Sequence, residues 1–404
     1  MMQREKISFT EQRSAVKIEE TAVTGFQREE SEKYSFRVYD KGFAGIYFNV
    51  GKMTDDEGFG KAEKNLVLER PYKYQLESGV RSRDLTEEVL TDRQLIDIAN
   101  ETVAYLKEKH PEFTMNGSVA MRRKTVVQTN SAGLDLSDTD SISGIGLSFK
   151  HRDSKDISDG YLSMEFRTFD LKKFTDMADE YLNAYLTPAE LPEELIIQMQ
   201  YYDLLNKLDE CLDAERMALG TSLFSGKTGQ KIFSDRFTLA HDVSDKVSWG
   251  DPFFDGEGVT QDGDRRVFID RGVLVSGYSD KHIAEKYGVP HTGNAWRRLS
   301  DIPVNGNVNL HIDRSESTAK QLLDGRYSVF PVQYSGGGWN DKGGYAMPVQ
   351  CAFLCDGGHF IGKLPPFTMK GELFDMFGDG FIGVTSDDPI IKDKQVLLKM
   401  QYGK

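Results

Sequence analysis

The chain has 404 residues, 39% of them hydrophobic and 11% aromatic, which suits two cores better than one. Its formal net charge of -14 argues against a duplex-DNA binder, because such proteins take most of their affinity from Lys and Arg neutralising phosphates. The start (Met1-Met2-Gln3-Arg4-Glu5-Lys6) does not resemble a signal peptide, and no apolar run approaches the roughly 18 to 20 residues of a membrane span. The sparse cysteines (Cys211, Cys351, Cys355) do not suit a disulfide framework, so cytoplasm is the expectation.

The N-terminal region reads as an antiparallel meander. Tyr34, Phe36 and Val38 alternate with polar residues, Asp40-Lys41-Gly42 supplies a turn, and Ala44, Ile46, Phe48 and Val50 alternate after it. Asp55 to Glu69 is expected to be helical. A clearer helix starts at Thr91, with Gln94 completing a capping box and Leu95, Ile98, Ala99, Val103 and Leu106 at helical spacing. Strands are expected around Val119 to Gln128, Ile142 to Phe149 and Tyr161 to Phe169, then a helix from Leu171 to Tyr185. Pro188 and Pro192 place a domain boundary there, giving residues 1–188 and 189–404. Met199 to Leu219 reads as one long helix leading a strand-rich, glycine-turn region, in which Val267 and Ile269 pair with Val273 and Val275 across Asp270-Arg271-Gly272. Helices and strands mix without strict alternation, so the fold class is α+β with two domains.

Motifs for chemistry are scarce. None of the seven histidines lies three to five residues from another, so no helical zinc motif exists. Gly226-Lys227-Thr228 resembles the end of a phosphate loop, but Gly220 stands one residue too far away and the segment before it reads as helix. Gly144-Ile145-Gly146 lacks the third glycine of a dinucleotide fingerprint. Asp255, Glu257, Asp262 and Asp264 gather carboxylates, yet Val259 and Thr260 occupy positions where a calcium loop needs a ligand and glycine. Such a run is either a surface turn or, with one carboxyl desolvated, an acid–base pair. Cys351 and Cys355 alternate with apolar residues and read as buried thiols.

Thr221-Ser222-Leu223-Phe224-Ser225-Gly226, Asp255-Gly256-Glu257-Gly258, the hairpin from Val267 to Gly277, Tyr278-Ser279-Asp280-Lys281 and Thr292-Gly293-Asn294 follow one another in the second half of the chain. Together these segments resemble the TldD/PmbA family, also called modulators of DNA gyrase. The resemblance implies a cytosolic metalloprotease assembly of two homologous subunits. The TldD-type subunit holds zinc through a His-Glu-x-x-x-His helix and a C-terminal cysteine; the PmbA type (TldE) lacks these. Here the corresponding positions are Leu205, Asn206 and Glu210, and Gly378 to Gly383 carries no thiol.

The resemblance therefore implies a PmbA/TldE-type subunit without metal or catalytic residues, with zinc expected in a TldD-type partner. The assembly is expected to be a heterodimer with that partner or a homodimer, binding peptide or unfolded protein and neither nucleic acid nor membrane. Ser222, Ser225, Asp255, Glu257, Gly258, Thr292, Gly293 and Asn294 are the cleft candidates. Two alternatives remain: a homodimeric binding protein, and an independent hydrolase with a relocated site drawn from Asp255, Glu257, His241, His282 and His291.

Overall fold

Along Gln3–Glu19 the buried positions include Glu5, Ile7, Ser14, Val16 and Ile18, the period-two pattern of a strand with one covered face. Glu20 and Thr21, both at positive φ, turn the chain into Ala22–Asp40, and Lys41-Gly42 turns it again into Phe43–Val50. The computed structural model describes residues 2–247, 249–306, 308–392 and 394–403. These three strands join Phe113–Asn130, Leu134–His151 and shorter strands in one eight-stranded sheet. It is antiparallel except where Gly79–Asp84 runs parallel to Leu134–Thr139. The expected meander is present, but its longest members begin well before Tyr34.

Two helices cover one face of this sheet. Helix α1 (Asp55–Lys64) lies over its edge, whereas α2 (Asp92–Lys109) and α3 (Leu171–Leu186) build the core. The Thr91 capping box closes with both hydrogen bonds, a motif that contributes about 1 kcal/mol. Leu95, Ala99, Leu106, Phe174 and Leu182 then bury against Val119, Ile145 and Leu162. The same cluster takes in Phe330, Cys351, Phe353 and Cys355 from the second half of the chain. After α3 the chain stays paired: Pro188 bridges Lys363, and Lys363 donates its N–H to the Thr187 carbonyl at 2.7 Å.

In the second half, Leu195–Met199, Val396–Tyr402, Phe367–Glu372, Gly344–Cys355 and Ser328–Tyr334 pair in succession. The last strand pairs back to the first, so the hydrogen-bonded path closes on itself. A four-stranded sheet and the two-stranded pair Ala295–Trp296 with Val304–Asn305 carry the loops of interest. Two expectations need correction. Met199 to Leu219 is a strand end, helix α4 (Tyr202–Leu212), a break at Asp213 and the short helix α5 (Ala214–Ala218). Asp213, at φ -60° and ψ 114°, leaves the helix and caps α5 by accepting from the Glu215 N–H. The 265–275 hairpin turns on Arg271-Gly272 alone, so Asp270 faces Val273 and Ile269 faces Leu274.

The halves are joined by a buried guanidinium. Arg37, 0% exposed, donates to Glu5 Oε2 at 3.0 Å and to the carbonyls of Gly256 (3.3 Å) and Arg298 (2.7 Å). Tyr39 and Gln128 complete the shell of Glu5. Removing one partner of such a pair leaves the other charge buried and uncompensated. Arg37→Met is therefore expected to lower the unfolding free energy in urea by about 3–5 kcal/mol, and adding Glu5→Gln to recover part of that loss.

Candidate functional site

Asp255 organises the site. Its Oδ1 accepts the N–H groups of Glu257 (2.8 Å) and Val259 (2.9 Å), and its Oδ2 that of Ala295 (2.9 Å). One carboxylate thus folds the 255–259 loop and pins it to the neighbouring strand. Burial first, then the charge of Glu257, push its carboxyl up to about 7 against the pull of those three amides. Gly258, at φ 77°, completes the turn; a Cβ there would sit 2.6 Å from Leu134 Cδ2.

Thr292, Gly293 and Asn294 form the wall behind this loop. The Thr292 hydroxyl donates to Asn294 Oδ1 (2.8 Å) or the Ser279 carbonyl (3.1 Å) and accepts from the Ser279 N–H (2.6 Å). Gln261 caps the Thr292 carbonyl. Gly293, at φ 64°, leaves no room for a side chain: a Cβ would lie 2.4 Å from Gln261 Nε2 and 2.8 Å from Val259 Cγ1. Ser222 works locally as well, donating to the Cys211 carbonyl at 2.6 Å and accepting from the Phe224 N–H at 2.9 Å.

Of the cleft candidates, Glu257 alone lines a cavity of about 900 Å³ between the two halves of the chain. Its Oε1 accepts from the Tyr72 hydroxyl (3.2 Å) and its Oε2 from the Lys281 N–H (3.1 Å). Opposite stand Tyr72 and Tyr74, with Asp280, His282 and Glu285 from the start of helix α6 (Lys281–Tyr287). The Tyr74 hydroxyl lies 3.0 Å from His282 Nδ1, and Lys281 Nζ bridges back to Glu77 at 2.7 Å. Asp280 caps α6 through the Ile283 N–H at 2.7 Å. Burial and the nearby Glu257 push its carboxyl up to about 6, although the cap bond pulls the other way. Sequence reading passed over Tyr72, Tyr74 and Asp280 as site residues. The closely spaced tyrosines beside Pro71 were the available signal.

The relocated-site candidates separate. Ligand atoms of Asp255, Glu257 and His291 lie within 4.8 Å of one another, and His291 Nε2 is 3.6 Å from Glu257 Oε2. His282 lines the same cavity, whereas His241 lies on Leu239–Asp242 and lines another of about 450 Å³ with Asp209 and Asp251. Burial pushes His241 down to about 4, and its Nδ1 accepts the Asn309 N–H at 2.9 Å. It is held neutral.

The zinc positions implied by the resemblance do not fit the metal. On α4, Leu205 is buried in the core beside Leu204, Leu208 and Cys211, and Asn206 is exposed. Glu210 is held by Lys207 (2.8 Å) and Arg216 (2.6 Å), which lower its carboxyl despite partial burial. Burial pushes the thiol of Cys211 up to about 11 and those of Cys351 and Cys355 up to about 12, so these are packing groups and not thiolates.

Residues 198–391 match the family model of the PmbA/TldA metallopeptidase C-terminal domain. These residues therefore carry the C-terminal domain of the PmbA/TldD family. It is 25% identical over 391 residues to an uncharacterized protein of Methanocaldococcus jannaschii, covering 90% of this chain and 87% of that protein. A metalloprotease TldD homolog of Buchnera aphidicola is 27% identical over 156 residues, 38% of this chain and 32% of that protein. TldE from Thermococcus kodakarensis has the same fold, with a TM-score of 0.82 at 16% identity over 99% of this chain and 96% of that one. A proposed modulator of a DNA gyrase from Thermotoga maritima matches with a TM-score of 0.78 at 17% identity over the same shares. Among the described residues, no helix is long and apolar enough to cross a membrane.

Two predictions follow from these environments. Gly293→Ala is expected to lower stability by about 1–3 kcal/mol in a urea titration, because it adds backbone strain to a steric overlap. His241 takes up its proton in the unfolded chain near pH 6.5 but in the folded chain only near 4, so stability is lost as pH falls through that window. Asp255 contributes with the opposite sign below pH 7, since its folded form holds the proton more tightly. His241→Asn isolates the histidine: the loss between pH 7 and 4.5 should shrink by about 2 kcal/mol relative to the parent.

Proposed function

We propose that this chain is the PmbA/TldE-type subunit of a cytosolic metalloprotease assembly. In this reading it binds peptide and builds the complex, and a TldD-type partner supplies zinc and catalysis. The observation that carries the reading is helix α4. Where the resemblance places two histidines and a glutamate, a core leucine, an exposed asparagine and a doubly salt-bridged glutamate stand instead. Neutral imidazoles converging on one ion and a free carboxylate base have no counterpart there. The likeness to TldE of Thermococcus kodakarensis supports the same assignment. The net charge of -14 favours peptide over nucleic acid as the bound chain.

A second reading is an independent hydrolase with a relocated metal, which the proximity of Asp255, Glu257 and His291 favours. Against it, both Asp255 oxygens are already engaged by backbone amides. One experiment separates the two. The purified chain, with added zinc, is expected to leave unstructured peptides intact and to hold no stoichiometric metal, whereas co-expression with a TldD-type chain should yield a complex that cleaves them. Metal-dependent cleavage by the isolated chain would overturn the subunit reading.

A further inference from the structure

The cavity between the halves carries an imbalance of charge. Glu257 and Asp280 line it and are only 4% and 2% exposed. Among the described residues, neither is ion-paired to a lysine or arginine. The basic group nearest Glu257 is His291 at 3.6 Å, and the strongest partner of Asp280 is the Ile283 amide. Of the other acids lining it, Glu215 is answered by Lys286 (2.9 Å) and Glu285 by Lys73 (2.7 Å), while Asp213 accepts amide hydrogen bonds from the Glu215 N–H (2.9 Å) and Asn305 Nδ2 (3.1 Å). Lys281 is turned away to Glu77. Two buried carboxylates facing one space, neither with a lysine or arginine of its own, cost free energy that a cation from outside would restore.

The walls narrow the class of cation. The rings of Tyr72 and Tyr74 meet edge-to-face at 5.3 Å, and Ile283, Ile302 and Pro303 add apolar surface. Aromatic faces and aliphatic walls favour a cation carried on an organic stem over a bare hydrated ion. A volume of about 900 Å³ admits such a group together with the backbone that bears it.

We infer that this cavity binds the cationic group of a peptide, its amino terminus or a lysine or arginine side chain, with Glu257 and Asp280 as counter-charges. The inference rests on the reading of the chain as a peptide-binding subunit. The tyrosines hold the stem, and the carboxylates accept hydrogen bonds from the charged head.

The test is fluorescence anisotropy with the full-length chain and C-terminally labelled, unstructured decapeptides at physiological salt. Four peptides are compared: acetylated without Lys or Arg, the same with a free amino terminus, acetylated with one Lys, and acetylated with one Arg. At least one cationic peptide should bind ten-fold or more tighter than the neutral one, and the preferred arm identifies the source of the charge. Glu257→Gln keeps the shape and one acceptor oxygen, for the Lys281 N–H, while its NH2 can donate to the Tyr72 hydroxyl, and should bring the preferred peptide down to the affinity of the neutral one. Asp280→Asn, which keeps the helix cap, should move it the same way, so a folding defect in one variant leaves the other decisive. Changing one of many acidic charges also separates the cavity from the general field of the protein. Equal binding of all four peptides would overturn the inference while the peptide-binding reading stands. Binding of none would remove both. Stoichiometric zinc binding that displaces the cationic peptide and disappears in His291→Ala would assign the carboxylates to a metal and also overturn it.

Discussion

Burying an arginine costs several kcal/mol of hydration, and the protein recovers this at Arg37 by surrounding it with acceptors from both halves of the chain. Glu5 supplies the counter-charge from the adjacent strand, and the carbonyls of Gly256 and Arg298 come from the second half. The consequence is positional. Gly256 separates Asp255 from Glu257, so the guanidinium on the long sheet grips the loop that carries the one cleft candidate facing the cavity. A lysine would not serve there, since its point charge lacks the planar fork that reaches two carbonyls and a carboxylate together.

From that anchor the remaining site geometry follows in a chain of backbone contacts. Asp255 spends both oxygens on amides of its own loop and of Ala295. Thr292 ties the same wall to Ser279, next to Asp280. The Tyr278 carbonyl accepts the Ala214 N–H at 3.1 Å and its amide donates to Leu212 at 2.8 Å, which fixes the break between α4 and α5. The residues that resemble family motifs are therefore mostly the joints of a frame. Glu257 and Asp280 are the positions at which that frame presents charge to a space.

Local sequence made part of this legible. The Thr91 capping box, the α+β class and the turn at Asp40-Lys41-Gly42, of which the structure keeps Asp40 in the strand, could be read because each depends on neighbours in the chain. The long strands before Tyr34 could not: Gln12, Glu29 and Glu30 offer no alternating apolar pattern, and only pairing across the sheet makes strands of them. The division of Met199 to Leu219 was hidden for a similar reason, since the break at Asp213 is stabilised by a distant partner, Asn305, at 3.1 Å. Among site residues, acidic clustering singled out Asp255 and Glu257. Their burial, and the gathering of Tyr72, Tyr74 and Asp280 around the cavity that Glu257 lines, are products of the tertiary fold.

Amide hydrogen exchange in Arg37→Met reports whether the guanidinium holds the 255–259 loop and, with it, the acidic floor of the cavity. The Glu257, Val259 and Ala295 amides should exchange at least ten-fold faster than in the parent, while amides in the middle of α2 should change much less. Unchanged protection at those three amides would show that the loop holds its shape without the guanidinium.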